Sequence, residues 1–142
     1  MKSTVRRILV LVVLAVAAVV VPSAPAAAAG LTVTGRYAIL GDDPAGVILV
    51  GQYSCGPFPA GVPDRGVIDL SVRQAAGGAE VVGISYLEPR VCTGEPQWYA
   101  AELIATAGTF RRAAAQWSAS GYVEGPGGVQ SVHVPPTRIR IR

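Results

Sequence analysis

Several residue types that carry chemistry are scarce in this sequence. Histidine occurs once, at His133, and lysine does not occur after Lys2. No Gly-x-Ser-x-Gly, His-Glu-x-x-His or phosphate-binding glycine loop is present. Catalysis by acid–base or nucleophilic chemistry commonly uses a histidine with a serine or cysteine partner. We therefore expect His133 to be an ordinary half-exposed strand residue and the loop acids, such as Asp42 and Asp43, to serve turns. No catalytic, cofactor-binding or metal-binding residue is predicted, and the protein is not expected to be an enzyme.

Long hydrophobic runs are also scarce, and the one present lies near the start of the chain. It extends from Ile8 to Val21, which is 14 residues (21 − 8 + 1), whereas a membrane-spanning helix needs about 20. Basic residues precede it, and prolines and an alanine run ending at Ala29 follow it. This order is typical of a secretory signal peptide. We predict a signal peptide over residues 1–29, cleavage near Ala29, and a secreted protein in the extracellular space or cell wall.

Removal of that segment changes the charge of the protein. The whole chain has 12 basic and 9 acidic residues, a formal net charge of +3. Three of the basic residues, Lys2, Arg6 and Arg7, lie in the predicted signal peptide, so nine arginines (12 − 3) and nine acidic residues remain. The remaining 113 residues (142 − 29) are enough for a single domain. A neutral domain gives no reason to expect nucleic acid or an anionic membrane as a partner.

The sequence has two cysteines, Cys55 and Cys92. In an exported protein, two cysteines are most simply interpreted as one disulfide. The loop closed by this bond would contain 38 residues (92 − 55 + 1), and closing it stabilises a domain by about 4 kcal/mol on the chain-entropy model. Since small domains are stable by about 5–15 kcal/mol, the predicted disulfide is structural.

Strand signals recur at short spacing, with glycine and proline between them. Alternation is clearest where Ile68, Leu70 and Val72 are separated by polar residues. Seven strands are predicted over residues 31–40, 47–55, 67–74, 80–86, 97–106, 113–123 and 129–142. The pattern favours an all-β fold, an antiparallel immunoglobulin-like sandwich of about seven strands over residues 30–142. Its second and fifth strands would be neighbours, which brings Cys55 close to Cys92.

The last predicted strand contains Pro135 and Pro136, which have no amide hydrogen for a ladder bond. We therefore predict an edge strand with a break. Beyond the prolines, Arg138, Arg140 and Arg142 alternate with isoleucines and share one face. This face is interpreted as a charged edge that prevents association of sheets, or alternatively as a contact with anionic cell-wall polymers.

Several short motifs stand out: Gly51-Gln52-Tyr53-Ser54-Cys55, Cys92-Thr93-Gly94, Trp98, Phe110 and the alanine-rich strand around Trp117. Together they resemble the motifs of a family of small secreted actinobacterial proteins of unknown function. The resemblance covers about Thr32 to Arg142. It implies an immunoglobulin-like fold and supplies no catalytic residues. The chain is also loosely similar to antibiotic-carrying chromoproteins, which typically have two disulfides. That likeness implies the alternative function, a small-ligand carrier with a cleft between its sheets.

Loops at the end of the domain near Cys92, residues 56–66 and 87–96, are long and rich in proline. Loops held on a rigid scaffold commonly carry recognition. The possible partner-binding residues are Phe58, Tyr86, Arg90 and Trp98, because aromatic residues and arginine are common interface anchors. Phe58, Tyr86 and Trp98 would form an exposed platform, unless Trp98 packs over the disulfide. The expected function is a non-enzymatic module that contacts an extracellular protein or a cell-wall component. Replacing Phe58 and Arg90 should weaken binding while leaving the melting temperature nearly unchanged.

Overall fold

The computed structural model describes residues 30–142, so the predicted signal peptide lies outside the described residues. The described part contains seven strands and every pair of neighbouring strands is antiparallel. They are β1 (Thr32–Leu40), β2 (Gly46–Ser54), β3 (Arg65–Ala76), β4 (Ala79–Leu87), β5 (Gln97–Ala105), β6 (Ala114–Gly125) and β7 (Gly128–Arg140). The all-β prediction is confirmed, and each strand begins and ends within about two residues of its predicted bounds.

The strands form one sheet in the order β1-β2-β5-β4-β3-β6-β7, and its two outermost strands meet. Ala38 of β1 forms a parallel bridge with Ile141. The amide of Leu40 donates to the carbonyl of Arg142 at 3.0 Å, and the amide of Arg142 donates to the carbonyl of Ala38 at 2.9 Å. The sheet is therefore nearly closed. The last strand was predicted to be an edge strand. That prediction is wrong at Ile141 and Arg142, because β1 pairs with the chain there.

A second narrow junction lies between β4 and β5. Among the described residues these two strands pair only at Gly83 with Ala105 and at Ile84 with Ile104. By contrast, β3 and β4 pair over the whole of β4. Beyond Ile84 the two strands separate, and an open cleft remains between them.

Two bulges decide which side chains point inward. Arg36 is an extra residue in β1, and the segment Pro135–Pro136 adds one residue to β7 opposite Ser118. A bulge tolerates proline because the ladder is already interrupted there. It also reverses the alternation, so Ile139 and Ile141 are buried while the arginines beside them are exposed. The last strand is continuous over Gly128–Arg140, with a bulge at the prolines where a break was predicted. The shared face of its arginines is confirmed.

The core lies between the inward faces of the sheet. Trp117 is buried on the alanine-rich strand, as predicted, and packs with the inward residues of β3, namely Ile68, Leu70 and Val72. No buried side-chain nitrogen or oxygen within residues 30–142 lacks a hydrogen-bond partner. The buried polar side chains are thus satisfied, which is the ordinary condition of a stable domain.

The predicted disulfide is confirmed. Cys55 and Cys92 are bonded, with their Cα atoms 4.5 Å apart, and both are fully buried. The strands β2 and β5 that lead to it are neighbours. Backbone bonds tie the two loops together as well: the Phe58 amide donates to the Cys92 carbonyl at 2.9 Å, and the Cys92 amide donates to the Gly61 carbonyl at 2.8 Å. This end of the domain is therefore held by covalent and hydrogen bonds together.

Candidate functional site

A groove lies on the outer face of β3, β4, β6 and β7 in the described part of the chain. Its floor is built from short side chains. Ser71 lies opposite Ser118, and their hydroxyls are hydrogen-bonded at 2.8 Å. In the next row, Asp69 lies opposite Ser120, which lies opposite His133. Short side chains in the middle of a sheet face leave space above the backbone.

Taller side chains form the walls of this groove. On one side stand Ile84 and Tyr86 of β4, which are 56% and 65% exposed, with Ile104 of β5 behind them. On the other side stand His133 and the bulged segment of β7 at Pro136. A bulge bends its strand, and this one lies opposite Ser118 of the floor. The resulting outer groove has a volume of about 610 Å³, within the range of about 300–1,000 Å³ usual for ligand pockets.

The charges of the outer groove have one sign. Asp69 and Glu102 line it, and none of the described lining residues is arginine or lysine. Neither carboxylate forms an ion pair within residues 30–142. Arginines line the neighbouring pockets instead: Arg73 and Arg138 next to Pro136, and Arg90 next to Tyr86. Arg73 is bound to Glu80 at 3.3 Å. The outer groove is therefore apolar on its walls, hydroxylated on its floor and negative overall.

Asp69, Ser120 and His133 are the three residue types of a serine hydrolase site, but their order does not match one. In such a site the histidine lies between the acid and the serine and bonds to both. Here Ser120 is in the middle strand, and no hydrogen bond joins the three side chains in the described structure. His133 is a strand residue, as predicted, but it is exposed at the rim rather than half-exposed. The row is suited to hydrogen bonding of a ligand.

The four predicted partner-binding residues do not form one surface. Tyr86 and Arg90 are brought together: both line a second groove of about 510 Å³ in the cleft between β4 and β5, and Glu102 lines it too. Tyr86 thus stands between the outer groove and this second groove. Arg90 is bound to Glu88 at 3.4 Å, and its side chain is 83% exposed.

Phe58 does not belong to an exposed platform, and that prediction is wrong. The side chain is only 7% exposed. Its ring lies against Gly125, where a Cβ atom would stand 2.8 Å from the ring. The absence of a side chain at Gly125 opens the space that Phe58 fills, and burial of an aromatic ring is strongly favourable. Phe58 is a core residue that anchors its loop.

Trp98 is exposed, as the platform requires, but it lies elsewhere. It is on the outer face of β5 opposite Gln52, and the Arg36 guanidinium is 5.1 Å from the centre of its ring. The alternative that Trp98 packs over the disulfide is wrong. Trp98 is four residues from Glu102, which is about 13 Å along a strand, and it lines neither groove. Its contact is a cation–π pair on another part of the surface.

Sequence reasoning did not identify the outer groove. Its floor depends on Ser71, Ser118 and Ser120, which are common surface residues in a strand and show no motif. Only the pairing of β3 with β6 places them side by side. The sequence does show small polar residues on the solvent-facing sides of β3 and β6. They indicate a groove only when the register between the two strands is known.

Residues 30–142 contain no group of three or more histidine, cysteine or acidic side chains placed to hold a metal ion. In the same range, no helix has the length and apolar character needed to cross a membrane. Comparisons with models of protein families, with curated proteins and with solved structures found no match to this chain.

Proposed function

We propose that this chain is an exported, non-enzymatic binding module that holds a small ligand in the outer groove. The observation that carries the proposal is the floor of three serine hydroxyls between raised apolar walls. A concave, mostly apolar site with a few convergent polar groups is the usual form of a small-molecule site. The proposal agrees with the loose likeness to antibiotic-carrying chromoproteins, except that the groove lies outside the sheets rather than between them.

The fold proposed for this module is an immunoglobulin-like sandwich. The narrow junction between β4 and β5 divides the strands into β1-β2-β5 on one side and β4-β3-β6-β7 on the other. In constant-type immunoglobulin domains the first, second, fourth and fifth strands belong to one sheet, and the third, sixth and seventh to the other. The strand order supports this assignment except for β4, which pairs along its whole length with β3 and at only two positions with β5.

Export to the extracellular space or the cell wall is part of the same proposal. The buried Cys55–Cys92 disulfide supports it, because such bonds persist in oxidising compartments. The predicted signal peptide over residues 1–29 would direct this export. N-terminal sequencing of the protein from the culture medium should give a start near Gly30, and retention of Met1 on a membrane-bound form would contradict this route.

The lining of the outer groove restricts the chemistry of the ligand. Tyr86 offers a ring face, and Ile84, Ile104 and Pro136 offer apolar contact. The hydroxyls on the floor would bond to polar groups on one edge of the ligand. Because Asp69 and Glu102 make the groove negative, the ligand is neutral or cationic; an anion would be repelled.

The test compares two matched serine-to-tryptophan variants of the purified protein with Nile red, a neutral apolar dye. Ser120→Trp fills the floor of the outer groove, whereas Ser54→Trp places the same side chain on β2, at a position that does not line the groove. We expect dye fluorescence to show an affinity at least roughly tenfold lower for Ser120→Trp, because the lost apolar contact exceeds about 1.4 kcal/mol. Ser54→Trp should bind as the parent does. Equal binding by both variants would show that the groove is not the site.

A second candidate function is a contact with an extracellular protein or a cell-wall component through the second groove. The observation that favours it is the cleft where β4 and β5 separate, lined by Tyr86 and Arg90 together. Tyrosine and arginine are enriched among residues that dominate binding energy. Co-sedimentation with purified cell walls should fall when both are replaced by alanine. If co-sedimentation is unchanged while Ser120→Trp loses dye binding, the second candidate function is excluded and the small-ligand proposal remains.

A further inference from the structure

Arginine is unevenly distributed in this neutral domain. Five of the nine arginines within residues 30–142 lie at the end where β7 meets β1 and where the loop between β5 and β6 returns. We call this set the basic end; it comprises Arg111, Arg112, Arg138, Arg140 and Arg142. The end of the domain with the disulfide carries the opposite excess, with Asp64, Glu88, Glu95 and Glu124 against two arginines. The domain is therefore electrically polarised although its net charge is zero.

The arginines of the basic end are not committed to ion pairs. The salt bridges within residues 30–142 join Arg65 to Glu124, Arg73 to Glu80 and Arg90 to Glu88, and none involves the basic end. All five residues are exposed. Three carboxylates lie around the basic end. Glu80 lines a pocket with Arg138 but is bound to Arg73. Asp42 and Asp43 lie in the turn between β1 and β2, and one oxygen of Asp43 accepts the amide of Ala45 at 2.9 Å. The five arginines therefore outnumber the three carboxylates around them.

The loop that carries Arg111 and Arg112 is held in place from inside the domain. Gln74 of β3 is the one buried polar residue in the described core, at 2% exposure. Its amide oxygen accepts the Arg111 amide at 2.8 Å, and its amide nitrogen donates to the Arg111 carbonyl at 2.9 Å. A second donation, to the Ala114 carbonyl, is 3.3 Å long. A buried side chain with its groups satisfied rigidifies what it holds, so the loop is fixed before any partner arrives.

The arrangement is a row rather than a pocket. Alternate strand residues lie about 7 Å apart, so Arg138, Arg140 and Arg142 project at regular intervals from one face, held there by the buried isoleucines between them. The Ala113 carbonyl accepts the Ile141 amide at 2.9 Å, which brings the loop with Arg111 and Arg112 beside the end of the row. A row of charges fits an extended polymer better than it fits one small anion.

We propose that the basic end is a docking surface for a linear polymer of phosphodiesters, the kind of polyanion found in cell walls. Each guanidinium is permanently charged and offers parallel donors that match two phosphate oxygens. A phosphodiester, in turn, keeps its charge at every repeat. None of these five arginines lines the outer groove or the second groove; Arg138 lines a third pocket, next to Pro136. The basic end would hold the module at the cell surface while the outer groove stays open.

The experiment measures binding of the purified, disulfide-bonded protein to poly(glycerol phosphate), with polygalacturonate and dextran as carboxylate and neutral polymers. We expect binding to poly(glycerol phosphate) that weakens steeply with added salt, as contacts between charges do. Replacing Arg111 and Arg112 by serine should lower the affinity by roughly tenfold or more, since two charge-assisted contacts are lost. The matched control replaces Arg36 and Arg65, which removes the same charge elsewhere and should retain the parent affinity.

Three outcomes would overturn the proposal. Absence of binding to poly(glycerol phosphate) at low salt excludes the docking surface. Equal binding to polygalacturonate excludes the assignment to phosphate. An equal loss in the Arg36/Arg65 control shows that net charge, rather than the basic end, controls binding. Because Nile red binding to Ser120→Trp is measured separately, failure here does not affect the proposed small-ligand function.

Discussion

Gly35 of β1 lies directly against the indole of Trp117, and a Cβ atom at Gly35 would stand 2.6 Å from its Cε2 atom. Gly35→Ala should therefore destabilise the domain by about 1–3 kcal/mol through overpacking. Chemical denaturation would measure this. In a Trp117→Leu background, which makes room for the methyl group, the same change should cost clearly less. An equal cost in both backgrounds would show that the two residues are not coupled.

Loss of the Cys55–Cys92 bond should destabilise the protein strongly. Replacing both cysteines by alanine is expected to lower the free energy of unfolding by about 2–5 kcal/mol. Both sulfurs are fully buried, and the two loops they join also bond to each other, so the loops should become accessible to protease at the same time. Intact-mass measurement with thiol labelling of the parent protein is the control, and it should detect no free thiol. Two free thiols in the parent would contradict the assignment.

Replacing Phe58 should destabilise the protein far more than replacing Arg90. Phe58→Ala removes a buried ring that packs against Gly125 and is expected to cost about 3–5 kcal/mol. Arg90→Ala removes an exposed side chain paired only with Glu88 and should change stability by less than about 0.5 kcal/mol. Thermal unfolding of the two single variants measures both effects. If Phe58→Ala left the melting temperature unchanged, the burial of Phe58 would be contradicted and the predicted exposed platform would stand.

Tyr99 should make the protein sensitive to alkali. Burial raises the pKa of its phenol above the ordinary value of 10.0, and its hydroxyl donates to the Thr34 carbonyl at 3.1 Å. The folded state therefore holds this proton more tightly than the unfolded chain does. The associated stability is complete below about pH 10 and is lost as the pH rises above that value. The melting temperature should fall less steeply above about pH 10 in Tyr99→Phe than in the parent, and parallel curves would rule out this linkage.

The extent of each strand was predictable because it depends on local signals. Alternation such as that of Ile68, Leu70 and Val72, together with Gly and Pro between strands, marks where a strand begins and ends. The disulfide followed from a count of two and from the expectation of export. These features need no knowledge of which strands are neighbours.

The sites were less predictable because they depend on pairing. Ser71 and Ser118 are 47 residues apart in sequence, and nothing local indicates that they share a floor. Phe58 was misplaced for the same reason: its burial depends on the empty position at Gly125, which comes from a distant hairpin. The exposure of Trp98 was predictable, but its contact with Arg36 requires the extra residue that bulges β1.

The bulge at Pro135–Pro136 also sets which residues of the chain end face the interior. The single added residue decides that isoleucines face the interior and arginines face water from residue 137 onward. Gain or loss of one residue between Val134 and Thr137 would exchange these two sets, since side chains alternate along a strand. Gain or loss of two would leave the assignment intact. Insertions and deletions in this segment are therefore expected to contain two residues rather than one. A single-residue change would remove both the contact between the chain end and β1 and the outward row of arginines in the basic end.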